Sequence, residues 1–357
     1  MTSTCLGILT SGGDCAGLNA VIRAATDAAV GHGWRVLGLR NGHLGLLASP
    51  PDVIPLTADF VRSDLLRAGG TILGTNTKGD PFCFPGPDGA PHDQSADVIA
   101  ALRGLGIDKL LVIGGDGSMR VFDRLLSAAQ IPWVGVPKTI DNDVPGTEFA
   151  VGFITAVSVV GEALDRLAST AASHRRIMVL EAMGRDSGFL ALYGGVAGGA
   201  DVILVPEFPY DLDRVAAHIR KITHDRPGAA LIVVAEGVKR PDQERRRHGS
   251  IGPDIAAALE ARTGFDARCT VLGHLQRGGS PVAFDRLLAS GLGVAAVELL
   301  AAGQTRHMVA WRGGVVGHIA MATAVTGPRF LTAEDGLVRT ASNMGIYLGE
   351  IPPAVAR

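Results

Sequence analysis

The chain has 357 residues, 47% apolar and 19% charged, which is enough for a large core and about two domains and excludes a disordered chain. With 33 Lys and Arg against 35 Asp and Glu, the net charge of −2 offers no basic surface to nucleic acid or to an anionic membrane. Four scattered cysteines (Cys5, Cys15, Cys83, Cys269) lack C-x-x-C spacing and read as reduced thiols of a cytoplasmic protein. Residues 1 to 10 lack a basic start and a cleavage site, and no apolar run is long enough to span a bilayer.

In chain order, Leu6–Thr10 is a predicted strand, followed by the turn Ser11-Gly12-Gly13-Asp14 and a helix through Asn19–Ala25. Strand, glycine turn and helix form a geometry that cradles phosphate, because N–H groups at a helix start point at the turn. Arg35–Leu39 is a second strand, 69–74 a loop, and 79–93, rich in Gly, Pro and Asp, an exposed turn or hairpin. A helix over Asp97–Leu105 precedes the strand Leu110–Ile113, which repeats the first pattern by running into Gly114-Gly115-Asp116-Gly117-Ser118 and a helix. The strand Trp133–Val136 leads into Pro137-Lys138-Thr139-Ile140-Asp141-Asn142-Asp143. Helices follow at Ile154–Leu167, at Leu212–Ile222 with Asp211 as N-cap, and at Phe284–Ala301. Strands fall at Ile177–Leu180, Val202–Val205, Leu231–Val234 and Cys269–Leu272. Continuous apolar strands alternating with helices predict parallel sheets covered on both faces, with ligands at the carboxyl edge of the strands.

The unusual polar residues gather at those strand ends. In an extended backbone, Asp141 and Asp143 face one side and Asn142 the other, so one carboxylate can face a substrate hydroxyl while the other serves a metal or a structural hydrogen bond; the alternative is a polar turn at the strand end. Asp116, beside bare glycine N–H groups and the Ser118 hydroxyl, is a ligand for Mg²⁺ or a helix N-cap. His174-Arg175-Arg176, Met183-Gly184-Arg185, Arg268 and His274-Leu275-Gln276-Arg277 place cations at four sites suited to a dianion such as a sugar phosphate. Glu236 can accept from sugar hydroxyls or cap its strand.

Five stretches, Gly7–Arg23, Gly114–Ser118, Pro137–Asp143, His174–Gly188 and Gly273–Pro281, resemble the 6-phosphofructokinase family in order and spacing. The resemblance covers roughly residues 5 to 300, with a weaker tail at 337–341. It implies two Rossmann-like α/β lobes: residues 1–140 plus part of 250–357 for the phosphoryl donor, and 141–250 plus part of 251–305 for the sugar phosphate. It implies phosphoryl transfer to the 1-hydroxyl of fructose 6-phosphate, with Asp141 as base and Thr139, Ile140 and Asp143 beside the acceptor. By the same resemblance Asp116 holds Mg²⁺, and Gly13, Thr77, Lys78, Gly115, Gly117 and Ser118 line the donor. Met183, Gly184, Arg185, Glu236, His274, Leu275, Gln276 and Arg277 contact the sugar phosphate. Arg176 and Arg268 match positions that reach a neighbouring subunit, which implies a homodimer or homotetramer with shared active sites.

Family members use ATP or pyrophosphate, and this chain carries features of both. Gly117 stands where pyrophosphate enzymes have an aspartate that fills the space of a nucleotide α-phosphate, so the resemblance favours ATP. Lys138 stands where the common bacterial ATP enzymes have glycine and pyrophosphate enzymes have lysine. Thr77 replaces a phosphate-bridging arginine, and Asp27 falls where the family's effector site has an arginine. Three other readings compete: an NAD or lipid kinase, a non-catalytic sugar-phosphate sensor, and a kinase for a longer acceptor such as sedoheptulose 7-phosphate. The first lacks the Pro-Lys-Thr-Ile-Asp-Asn-Asp stretch, and the second has no use for a base.

Overall fold

A computed structural model describes residues 3–77, 80–85, 90–225, 229–239 and 250–351. In chain order the elements are β1 (Cys5–Thr10), α1 (Leu18–Gly31), β2 (Arg35–Leu39), β3 (Val53–Leu56), β4 (Phe84–Pro85), β5 (Pro91–His92), α2 (Ser95–Gly104), β6 (Lys109–Gly114), α3 (Asp116–Ala129) and β7 (Trp133–Pro137). There follow α4 (Phe153–His174), β8 (Ile177–Ala182), α5 (Phe189–Ala197), β9 (Val202–Leu204), α6 (Leu212–Asp225), β10 (Ala230–Ala235), α7 (Gly252–Thr263) and β11 (Ala267–Val271). The chain then runs through α8 (Ala283–Ala301), β12 (His307–Arg312), β13 (Val315–Ala320), α9 (Met321–Ala324) and α10 (Gly336–Asn343). It divides into two compact units, Met1–Ile154 with Arg277–Pro328, and Thr155–Gln276 with Arg329–Arg357.

The first unit holds a sheet in the order β13-β12-β7-β6-β1-β2-β3. Its centre is parallel, and every residue of β1 and β7 is buried, as strands covered on both faces require. Antiparallel pairs at both edges, β2–β3 and β12–β13, depart from the all-parallel expectation. Short returns need no crossover helix, and Gly313 and Gly314, both at positive φ, give β12 and β13 a tight two-residue turn. In α3, Met119, Phe122, Leu125, Leu126 and Ala129 are buried at helical spacing, and the helix stops where Gln130 turns left-handed at φ 56. Burying each leucine there contributes about 1.5–3 kcal/mol. The 79–93 stretch does form a hairpin, β4 against β5, although residues 86–89 lie outside the described residues.

The second unit holds a fully parallel sheet in the order β11-β8-β10-β9. Asp211 caps α6 as its sequence position implies, accepting from the N–H groups of Asp213 and Arg214 at 2.7 and 3.1 Å. The last described residues return to this unit. Tyr347 bridges to Val202 at the β9 edge, and the Leu331 N–H donates to Glu207.

The division between units corrects the boundary expected at 140. Residues 141–154 belong to the first unit because the loop after β7 folds back on it. Lys138 bridges to Val151, and Thr147 and Glu148 bond the backbone of Trp311 in β12. Residues 277–305, expected in part with the sugar-phosphate lobe, also lie in the first unit, since α8 packs along α1. Among the described residues, no helix is long and apolar enough to cross a membrane.

Candidate active site

In the first unit, the turn after β1 is wired from several sides. The Gly12 N–H donates to Asn76 O at 2.9 Å, and Thr75 Oγ1 donates to Gly12 O at 2.6 Å. Ser118 Oγ donates to Ser11 Oγ at 2.9 Å, so the turns after β1 and β6 are joined. Lys138 Nζ donates to Gly13 O at 2.5 Å, and Arg277 Nη1 donates to Asp14 O at 3.2 Å. Two cations thus hold the carbonyls of this turn. A Cβ on Gly13 would stand 2.0 Å from Arg277 Nη1, so a larger residue there would push the guanidinium off the turn. Lys138 is 4% exposed, and its burial lowers its pKa.

The turn after β6 is open by contrast. Gly117 is exposed, and a Cβ built there meets no atom within 4 Å. Gly115, not Asp116, is the N-cap of α3 and makes no side-chain cap bond. The Asp116 carboxylate instead takes Arg120 at 3.1 Å, one turn along an exposed face. Thr77 is exposed, while Lys78 lies outside the described residues.

The stretch after β7 differs from the extended reading. Asn142 has φ +51, so the backbone bends between the two aspartates instead of alternating past them. Thr139 Oγ1 accepts from the Asp141 N–H at 3.1 Å, and its hydroxyl bonds the Asp143 carboxylate. Ile140 is buried and anchors the bend. Burial pushes the Asp143 pKa up to about 6, helped by the charges of Asp141 and Asp116. The three carboxylates therefore share one field, and the Lys138 ammonium feels both Asp141 and Arg277.

In the second unit, Met183, Gly184, Glu236, His274 and Leu275 follow the carboxyl ends of β8, β10 and β11. Arg185, Glu236, His274 and Leu275 are exposed, and Arg185 pairs with Asp186 at 2.7 Å. Gln276 is 1% exposed, and its amide is spent on protein: Oε1 accepts from the Met183 N–H at 3.2 Å and Nε2 donates to Gly273 O at 3.0 Å. It fixes the loop next to the exposed groups.

Not every expected cation lies at the carboxyl edge. Arg176 precedes β8 and Arg268 sits at the start of β11, so both occupy the amino edge of the same parallel sheet. They share Asp266, at 2.5 and 2.6 Å. A six-residue strand such as β8 separates them from Met183–Arg185 by roughly 20 Å. Arg277, expected among the sugar-phosphate contacts, belongs to the first unit and donates to the turn at Asp14. Sequence reasoning missed the wiring by Thr75, Ser11 and Asn142, whose partners are backbone groups or hydroxyls brought close only by folding.

Parallel strands that end in glycine turns, a buried lysine and three carboxylates in one field define an α/β protein built to handle phosphate. The phosphofructokinase family model matches residues 5–300. The chain is 50% identical over 354 residues to ATP-dependent 6-phosphofructokinase 1 of Nostoc sp., covering 97% of this chain and 98% of that one. It is 48% identical to ATP-dependent 6-phosphofructokinase 1 of Synechocystis sp., covering 96% and 98%. Its structure is similar to Pichia pastoris phosphofructokinase in the T-state, with a TM-score of 0.81 and 29% identity over 97% of this chain and 37% of that longer one. The fold is shared also with a pyrophosphate-dependent phosphofructokinase from Marinobacter aquaeolei, with a TM-score of 0.80 and 22% identity over 99% of this chain and 94% of that one. The chain belongs to the phosphofructokinase family.

Proposed function

We infer that the protein is an enzyme of glycolysis that transfers a phosphoryl group from ATP to the 1-hydroxyl of fructose 6-phosphate, giving fructose 1,6-bisphosphate. The observation that carries the choice of donor is the empty space over Gly117, where a nucleotide α-phosphate meets neither a side chain nor a like charge. The names of the curated relatives agree with it. Lys138, the feature in common with pyrophosphate enzymes, spends its ammonium on Gly13 O, which weakens the case for pyrophosphate.

Phosphoryl transfer passes through a loose transition state, so positioning and charge neutralisation do most of the work. Asp141 orients the attacking hydroxyl and takes its proton. Thr139 and Asp143 hold the acceptor side, and Gly13, Gly115, Gly117 and Ser118 line the donor. Met183, Gly184, Arg185, Glu236 and His274 grip the sugar phosphate, while Gln276 and Arg277 fix neighbouring backbone. The residues fit Mg²⁺: burial first, and then the charges of Asp141 and Asp116, raise the Asp143 pKa, and a divalent cation would relieve the part that comes from crowded carboxylates. Among the described residues no three His, Cys, Asp or Glu side chains converge as a metal cage. Mg²⁺ needs none, since it takes one or two carboxylates with phosphate oxygens and water. Asp116 would hold it, and it would neutralise charge on the transferred group.

Arg176 and Arg268, at the amino edge, serve the sugar phosphate of a second copy, so the working protein is a cytoplasmic homodimer or homotetramer with shared sites. The test is purified protein assayed with ATP and with pyrophosphate, against fructose 6-phosphate and sedoheptulose 7-phosphate. ATP with fructose 6-phosphate is expected to give the highest kcat/KM. Turnover with pyrophosphate and none with ATP overturns the choice of donor, and a preference for the longer sugar overturns the acceptor.

A further inference from the structure

The loop from Pro137 to Val151 is closed at its mouth by the Lys138–Val151 bridge, with the Val151 N–H donating to Pro137 O at 3.0 Å and the Thr139 N–H to Val151 O at 3.3 Å. Its far side is pinned to β12 and the turn beyond: the Trp311 N–H donates to Thr147 Oγ1 at 3.0 Å and the Gly313 N–H to Glu148 Oε1 at 2.9 Å. Inside the loop stands Asn142, 0% exposed. Its Nδ2 donates to Glu148 O at 2.9 Å, and its Oδ1 accepts from the Ala150 N–H at 2.9 Å. The side chain therefore substitutes for a strand partner, taking up one carbonyl, that of Glu148, and one buried N–H, that of Ala150. Its backbone is left-handed, at φ +51.

We propose that Asn142 is a positioning residue for phosphoryl transfer, which sets the placement of Asp141 and Asp143 by clamping the bend between them. The proposal rests on the reaction inferred above. Two demands meet at this one position. The bend needs a residue that tolerates positive φ, which glycine, asparagine and aspartate do best. The loop interior needs a donor and an acceptor side by side on a short stem, and of those three only asparagine has both. Glycine meets the first demand alone, aspartate lacks the donor and adds a third negative charge beside Asp141 and Asp143, and alanine meets neither. Thr139 takes its place from the same bend, since its hydroxyl contacts both aspartates, at the Asp141 N–H and the Asp143 carboxylate.

The test compares Asn142→Ala, Asn142→Gly and Asn142→Asp with the wild type in steady-state kinetics, and measures binding of ATP and fructose 6-phosphate by calorimetry, which needs no turnover. A displacement of reacting groups by about 1 Å costs roughly 10²-fold in rate, so Asn142→Ala is expected to lower kcat by about 10- to 100-fold while both affinities stay within about threefold. Asn142→Gly is expected to lose less, because the bend is relieved of strain. The combined variant Asp141→Ala/Asn142→Ala separates positioning from a general loss of structure. Because Asn142 acts in part through Asp141, its removal costs less once Asp141 is gone; an equal further loss in that background overturns the proposal. So does a kcat within twofold of the wild type for Asn142→Ala. Should Asn142→Ala fail to fold, the same cycle is run with Asn142→Gly. Wild-type protein inactive on fructose 6-phosphate instead overturns the assigned reaction, and unchanged affinities then stand apart from that failure.

Discussion

Two polar side chains after β7 of the first unit are buried and bonded to backbone, whereas several after the second unit's strands stand in solvent. Lys138 and Asn142 are at most 4% exposed, while Arg185, Glu236 and His274 are exposed. The difference matches the proposed roles of the two regions. A donor and a base aimed before the reaction need no rearrangement at the transition state. An exposed cation held by a surface carboxylate, as Arg185 is by Asp186, is in an ion pair worth about 0–1 kcal/mol, little to give up for the sugar phosphate proposed as its ligand. Gln276 is the second unit's counterpart of Asn142, a buried carboxamide whose bonds hold a loop in place.

The strongest way to break this comparison is to remove the base. Asp141→Ala is expected to fold and to bind fructose 6-phosphate, with kcat lower by about 10²–10⁴, the usual scale of general-base catalysis. Near-normal turnover would take Asp141 out of the chemistry. Gly117→Asp comes next: filling the open space with a like charge is expected to lower kcat/KM for ATP by about 10²-fold, through roughly 2–3 kcal/mol of repulsion and lost fit, with binding of the sugar phosphate unchanged in calorimetry.

A pH series on metal-free protein sharpens the electrostatic side. The Asp143 pKa is raised from 3.8 to about 6, so its contribution to stability is complete below about 4 and is lost as pH rises through about 6. Asp143→Asn removes that loss. Between pH 5 and 7.5 the unfolding free energy from denaturant titration is expected to change by about 1–1.5 kcal/mol more in wild type than in the variant, with the variant gaining at the higher pH. A pH-independent difference would deny the burial of the carboxylate. The smallest effect is expected from Gln276→Leu, which leaves the Met183 N–H and Gly273 O unpaired. It should raise KM for fructose 6-phosphate about tenfold and lower stability by about 1–2 kcal/mol, with KM for ATP unmoved.

Much of the fold was legible because the central strands are continuous apolar runs ending in glycine or charge. Local composition hid other parts. In α5, Phe189–Ala197, two adjacent glycines disguise a helix that needs them where Val160 and Ile203 press close. The hairpin of β12 and β13 carried a readable signal, Gly313-Gly314 between two six-residue strands, and extends the first sheet at its edge. The amino-edge position of Arg176 and Arg268 was also legible, since each comes at the start of its strand and not after it.

By itself the sequence determined which residue types stand at the strand ends, because strand and helix periodicity and the spacing of Gly, Asp and Arg are local properties of the chain. Tertiary structure alone decided that residues 141–154 belong with the first unit, that Arg277 and Lys138 hold the carbonyls of a turn more than a hundred residues away, and that Asn142 bends the chain between the two aspartates. These depend on satisfying buried backbone groups, and the partner of a buried N–H or carbonyl exists only once distant segments have met.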